Sequence, residues 1–267
     1  VSSTTPSPRP PASRPRRQPP SSLPSAAAPA APSLTERRKA ETRMEIARAA
    51  AGLFVRHGLR AARAEDIAQA AGVAPRTFYR YFACKEEAIA PLYAEGARSW
   101  AEAVRDAPAG LSLPQALEHA VRYTLTPGAG MSASSWERIR TLIRLAEGSP
   151  ALGKVWAEEC RVAERMLAGV LAGRAARGDD DVAAELAASP RLCFAAATAS
   201  AAVRVAVERW ACGDAPPEGP QGPTALAMRN LEVLRTFPWD ELTGATGRHG
   251  RTRPPGSAAS PAPVRTG

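Results

Sequence analysis

The stretch from Arg63 to Lys85, R-A-E-D-I-A-Q-A-A-G-V-A-P-R-T-F-Y-R-Y-F-A-C-K, admits few folds. Ile67, Ala68 and Ala71 recur at helical spacing, so Glu65 to Ala71 predicts a short helix with one apolar stripe. Gly72 is expected to end it in the left-handed conformation, which costs glycine nothing, and Val73 plugs the turn. Pro75 suits the first turn of a second helix, where a missing N–H goes unnoticed. That helix, Pro75 to Phe82, sets Phe78 and Phe82 four apart on a buried side. Arg76, Thr77, Tyr79, Arg80 and Tyr81 are left outside. The layout is that of a helix-turn-helix whose second helix enters a major groove of DNA. Two packed helices of an ordinary helical domain would also explain the Phe pair, the alanines and the glycine. They leave unexplained an outer face with two Arg, two Tyr and a Thr, and no carboxylate between Arg76 and Lys85. Such donors meet phosphates and base edges.

At 267 residues the chain has room for one large or two small domains. Few aromatics, abundant Ala and Arg, and no alternating β-branched runs predict an all-α fold. The first apolar residues are dispersed among Pro, Ser and Arg, so no secretory leader is expected. The longest apolar run, Leu192 to Val203, is shorter than a membrane span. These features predict a soluble, cytoplasmic protein with no membrane partner. The net charge of +9 is unevenly spread. Residues 34–85 hold eleven Lys or Arg against five Asp or Glu, and residues 86–242 hold sixteen against twenty-one. A basic head on an acidic body suits a polyanion at one end only, here DNA of the nucleoid.

Cys84, Cys160, Cys193 and Cys212 show neither a C-x-x-C spacing nor a nearby His, so no metal and no disulfide framework is expected. Reduced thiols fit better, with a redox role for Cys84 beside the outer helix as the alternative. No phosphate-binding glycine loop, dinucleotide fingerprint or nucleophile elbow occurs, and His57, His119 and His249 fall in unrelated segments. No catalytic residue and no cofactor is therefore assigned, and an enzyme is disfavoured.

Residues from about 40 to 100, with L-F-V-R-H-G-L followed by E-D-I-A-Q-A-A-G-V-A-P-R-T-F-Y-R-Y-F-A-C-K-E-E, resemble the N-terminal DNA-binding domain of TetR-family transcriptional regulators. The resemblance implies a homodimer joined by a four-helix bundle from the last two helices of each subunit. It also implies a C-terminal helical domain in which a small-molecule effector releases the DNA. Positions matching Thr77, Tyr79 and Lys85 hold phosphates in that family, and those matching Arg76, Arg80 and Tyr81 touch bases. One departure stands out. Family members usually have a capping Thr before the second helix, where this chain reads Ala62-Arg63-Ala64. A lost cap costs about 1 kcal/mol. Arg63 can restore a phosphate contact, but its guanidinium cannot accept a helix N–H.

Four segments follow. Residues 1–33 form a basic Pro/Ala/Ser-rich tail expected to be disordered, 34–106 the DNA-binding domain with its connecting helix, 107–242 the ligand-binding and dimerisation domain, and 243–267 a second disordered tail. Ser33-Leu-Thr-Glu36 has capping-box spacing and opens a helix to about His57, with Ile46, Ala50, Leu53, Phe54 and His57 inward and Gly58 at its end. Arg37, Arg38, Lys39 and Arg43 oppose that helix's dipole, which DNA phosphate would explain; a solvated basic turn is the alternative. Lys85 opens a helix to about Asp106, with Pro91 expected to perturb an early turn. Further helices are predicted at 112–126, 134–147, 150–178, 180–188, 190–212 and 224–237, with a breaker cluster at 127–131.

The small residues Ala195 to Ala202 predict close helix approach, either a dimer seam or a helix buried within its own domain. Tyr93, Trp100, Trp136, Ile139, Met166 and Phe194 are the residues expected to line an apolar effector pocket, or simply to fill the core. W-E-R-I-R-T-L-I-R-L and V-A-V-E-R-W resemble a subgroup associated with mycofactocin-type regulators and acyl-CoA-like effectors, unless Arg138, Arg140 and Arg144 form a surface stripe. The expected function is a repressor released from a palindromic double-stranded operator by a small apolar or amphipathic ligand. A ligand-independent architectural DNA binder, or an activator, is the alternative.

Overall fold

The computed structural model describes residues 33–128 and 133–239. The tails expected to be disordered lie outside the described residues except for Ser33, as do residues 129–131 of the breaker cluster. Among the described residues every regular element is helical. The order is α1 (Leu34–Ala61), α2 (Ala64–Ala70), α3 (Pro75–Tyr81), a 3-10 turn (Glu87–Ile89), α4 (Ala90–Asp106), α5 (Leu113–Leu125), α6 (Ala133–Glu147), α7 (Pro150–Ala176), α8 (Asp180–Ala188), α9 (Pro190–Cys212) and α10 (Pro223–Leu231), followed by a 3-10 turn (Glu232–Thr236).

The expected capping box opens α1. Glu36 N–H donates to Ser33 Oγ at 3.2 Å, and Ser33 N–H donates to Glu36 Oε2 at 2.7 Å. Those two hydrogen bonds, the backbone one foremost, hold the Glu36 carboxyl below its ordinary value. Gly58, at φ 77° and ψ 162°, breaks α1 at the expected place, and a further turn reaches Ala61. Ile46, Ala50 and Phe54 are buried and Leu53 is half-buried, but His57, expected in the same stripe, is exposed in the turn just before the break.

α4 starts later than expected. The chain after Phe82 turns first, held by Ala83 N–H donating to Glu87 Oε2 at 2.8 Å, and the helix begins at Ala90. Pro91 thus falls in the first turn, where it disturbs nothing. The helix is about 25 Å long. The last predicted helix is also shorter: α10 ends at Leu231 and the chain tightens into a 3-10 turn.

Two cores result. The first joins Ile46, Phe54, Ile67, Phe78, Phe82, Ile89 and Tyr93 of the head with Leu142 and Leu152 of α6 and α7. The second gathers Trp100 and Val104 of α4 with Leu117, Leu167, Leu171, Leu192, Ala196, Ala199 and Leu231. A smaller cluster under α6 pairs Trp136 and Trp210 edge to face at 5.3 Å. α4 therefore contributes one end to each main core.

Most of the small residues of α9 are buried within their own subunit, the second of the two expectations, with Ala197 and Ala201 half-buried. Ala195, Ala196, Ala199, Ser200 and Ala202 are buried inside the subunit, where their lack of bulk lets α9 lie close to its neighbours α7 and α10. The helix is long and apolar enough to cross a bilayer by composition. Most of its small residues, with Leu192 and Trp210, are buried in the subunit, whereas Phe194 and Val205 are exposed.

Of the three α6 arginines, Arg138 is exposed, whereas Arg140 and Arg144 are engaged with the end of α9. Arg144 donates to the carbonyls of Ala211 and Gly213 at 2.5 and 2.6 Å and pairs with Asp214 at 3.1 Å. Arg140 donates to the Ala215 carbonyl and lies 4.2 Å over the Trp210 ring. Together they satisfy carbonyls at and beyond the C-terminus of α9, the end that favours cations. Arg174 does the same for the loop after α4, donating to Ala107 and Pro108 carbonyls at 2.7 and 2.9 Å.

Candidate DNA interface

α2 and α3 meet as the sequence predicts, with Gly72 at φ 68° and Val73 N–H donating to the Ala68 carbonyl at 2.9 Å. Phe78 is fully buried and Phe82 nearly so, their rings 5.7 Å apart. Burying that side fixes which side faces out. Arg76, Tyr79 and Arg80 are exposed, and Thr77 and Tyr81 half-buried. Arg80 lies 5.2 Å over the Tyr81 ring, and Arg43 of α1 reaches the Tyr81 carbonyl at 3.4 Å and the Phe82 face at 4.8 Å. Arg43 therefore braces the far end of α3, while Arg37, Arg38 and Lys39 are exposed.

The start of α2 shows how the missing Thr is partly replaced. Asp66 Oδ2 accepts the Arg63 N–H at 3.2 Å, which is the carboxylate half of a capping box. The other half is lost because Arg63 has no acceptor. Its side chain instead projects into solvent, three-quarters exposed, 3.7 Å from Glu65. Glu65 also accepts the Tyr79 hydroxyl at 3.3 Å. Desolvation and then that carboxylate raise the phenol above its ordinary value, so it remains a hydrogen-bond donor. Glu65 is not among the residues expected at the site; it stands in the first turn of α2, and no local signal shows that it meets a residue fourteen positions on.

Lys85 is engaged internally. Its ammonium donates to the carbonyls of Leu59 and Ala62 at 2.6 and 2.8 Å, tying the turn after α3 to the end of α1. A cation on helix-terminal carbonyls explains its place without an outside partner, although one of its three hydrogens stays available. Cys84 beside it is half-buried, and burial raises its thiol, which disfavours the reactive thiolate a redox role needs.

The six expected pocket residues are not brought to one cavity among the described residues. Tyr93 belongs to the head core, with its hydroxyl donating to the Leu142 carbonyl at 3.2 Å. Trp100 lies in the second core, and Trp136, with half-buried Ile139, in the cluster beneath α6. Met166 is half-buried, and Phe194 is 62% exposed and stacked on Phe237. Helical periodicity put the inward residues inside without telling which core each would join. A cleft of about 670 Å³ opens elsewhere, between α6, α7 and α9, beside Ala146, Trp156, Cys160 and Glu208.

Residues 46–89 match the family model of bacterial regulatory proteins of the tetR family. Over 153 residues, 56% of this chain and 67% of the relative, the sequence is 32% identical to the HTH-type transcriptional regulator TcmR of Streptomyces glaucescens. Among solved structures, a TetR-family transcriptional repressor, FadR of Thermus thermophilus, in complex with lauroyl-CoA, is 20% identical, with 84% of this chain and all of that one covered and a TM-score of 0.45. The matched segment runs from the middle of α1 through α2 and α3 to the end of the 3-10 turn. The chain belongs to the TetR family of transcriptional regulators, with its DNA-binding helix-turn-helix domain in the matched segment.

Proposed function

We propose that the protein is a homodimeric repressor that lays α3 of each subunit in a major groove of a palindromic operator and leaves it when a small apolar or amphipathic ligand binds the body. The observation that carries the reading is the division of α3: Phe78 and Phe82 anchor it inward, and Arg76, Tyr79 and Arg80 project together. Arg76, Arg80 and Tyr81 would read base edges. Thr77, Tyr79, Arg63 and the spare hydrogen of Lys85 would hold phosphates and fix the register.

Two-fold symmetry needs an unpaired apolar face. α9 and the segment after α10 carry Phe194, Val205 and Val233, all exposed, and these would form the seam in place of the buried alanines. Two heads in one dimer call for half-sites one helical turn or a multiple apart. Such a protein works on the nucleoid in the cytoplasm.

Selection of random duplexes by the purified protein tests this directly. The expected result is a palindromic consensus that is lost with Arg76→Ala plus Arg80→Ala while the thermal midpoint is kept. Each bidentate Arg contributes about 1–3 kcal/mol of base discrimination. Selection of no consensus by the native protein would favour the architectural binder. A consensus unaffected by the double variant would overturn the role of α3. Regulation of a reporter upward at that consensus would make it an activator.

A further inference from the structure

The cleft between α6, α7 and α9 is built differently from the apolar pocket the sequence led us to expect. One wall is the indole of Trp156. Its N–H donates to Glu208 Oε1 at 2.6 Å, and Glu208 in turn accepts Arg204 at 2.9 Å, so the ring is held in place and both charges are spent on each other. Arg161, also on the rim, is paired with Glu158 beside it. Glu147 and Glu164 remain, and among the described residues neither carboxylate has an ion pair or hydrogen bond. The charge left facing the cleft is negative, next to an immobilised aromatic surface.

We propose that this cleft is the effector site and that its ligand is an organic cation with an aromatic or bulky apolar body. The proposal rests on the ligand-release reading above and names the class of ligand. Two unpaired carboxylates attract the cation, and an indole face attracts it through the ring quadrupole while also covering apolar surface. At about 670 Å³ the cleft is large enough for a ligand of twenty or more heavy atoms.

The cleft also abuts the part of the molecule that a ligand must influence. Trp156 packs edge to face on Tyr93 at 4.9 Å, and Tyr93 is on α4 within the core that holds Phe78 and Phe82. Ala146, another lining residue, belongs to that same core. A ligand pressing on Trp156 is therefore one side chain away from the helix that carries the reading head. A ligand alters DNA affinity only by favouring one arrangement of that contact over the other.

Tetraphenylphosphonium and tetraphenylborate share size and shape and differ in the sign of charge, which makes them the probes. Equilibrium dialysis of the full chain is expected to show the cation bound about tenfold or more tightly than the anion. Glu147→Gln plus Glu164→Gln should weaken the cation about tenfold and erase most of the preference, with the thermal midpoint unchanged because neither carboxylate supports another group. Trp156→Phe should lower affinity for both probes. Equal binding of both ions, or a cation affinity indifferent to the two Gln substitutions, would overturn the proposal. In a second arm, the affinity for a random duplex is measured with and without the cation. A cation that binds with the stated preference yet leaves DNA affinity alone supports the site and overturns ligand release. DNA released by a neutral apolar compound, with no cation bound, upholds release and sinks the cationic assignment.

Discussion

The head and the body solve the same packing problem with opposite materials. The head core is made of a few large anchors, Phe54, Phe78, Phe82 and Ile67, set in α1 to α3 and the turn after them, which follow one another along the chain, and is closed by Leu142 and Leu152 of the body. The body core is threaded by α9, whose inward side is mostly alanine, and gains its contacts by close approach between helices distant in sequence. Charge divides the same way, with the excess of basic residues in 34–85 and of acidic ones in 86–242. A core of large anchors fixes the orientation of a small surface, which a reading head needs. A core of small residues lets long helices lie close but leaves their exact partners to the whole assembly.

That contrast is broken most forcefully by substitutions of opposite kind. Phe78→Ala should empty the centre of the head and cost about 3–5 kcal/mol in chemical unfolding. Ala199→Leu, at a fully buried site on α9, should instead overfill the body and cost about 1–3 kcal/mol. If Phe78→Ala were mild, the head would not depend on its anchors; if Ala199→Leu were tolerated, α9 would not be closely packed. A smaller change sharpens the electrostatic half of the comparison. Glu65 is an acid on the otherwise basic outer face, engaging Tyr79 and lying close to Arg63. Glu65→Gln keeps an acceptor for the phenol and removes the charge, so duplex affinity at low salt should rise about two- to fivefold, with the gain fading as salt screens it. Fluorescence anisotropy across a salt series reads this, and weaker binding by the variant would mean the carboxylate assists DNA contact.

Legibility in the sequence followed the same division. The Ser33–Glu36 box, the breaks at Gly58 and Gly72, and the Phe78–Phe82 pair are local signals, each complete within a few residues, and the structure contains all of them. The contacts that escaped the reading are long in sequence. Lys85 meets carbonyls more than twenty residues back, and Arg144 meets carbonyls nearly seventy residues on. A cation at a helix start reads as misplaced until the carbonyls it serves are known. The alanines of α9 were ambiguous for a related reason, since small residues permit close approach by any helix, whether of the same subunit or another.

One consequence follows from α4 having Tyr93 in one core and Trp100 and Val104 in the other. A straight rod embedded at both ends cannot absorb a disturbance by bending freely between them. At about 25 Å, a tilt of about 5° at the body end would carry the opposite end roughly 2 Å sideways. In a dimer two such rods would swing together, and the spacing of the two reading helices would change by up to twice that amount. Grooves on a duplex have fixed spacing, so in such a dimer a movement smaller than one side chain, made far from the DNA, would be enough to put both heads out of step with it.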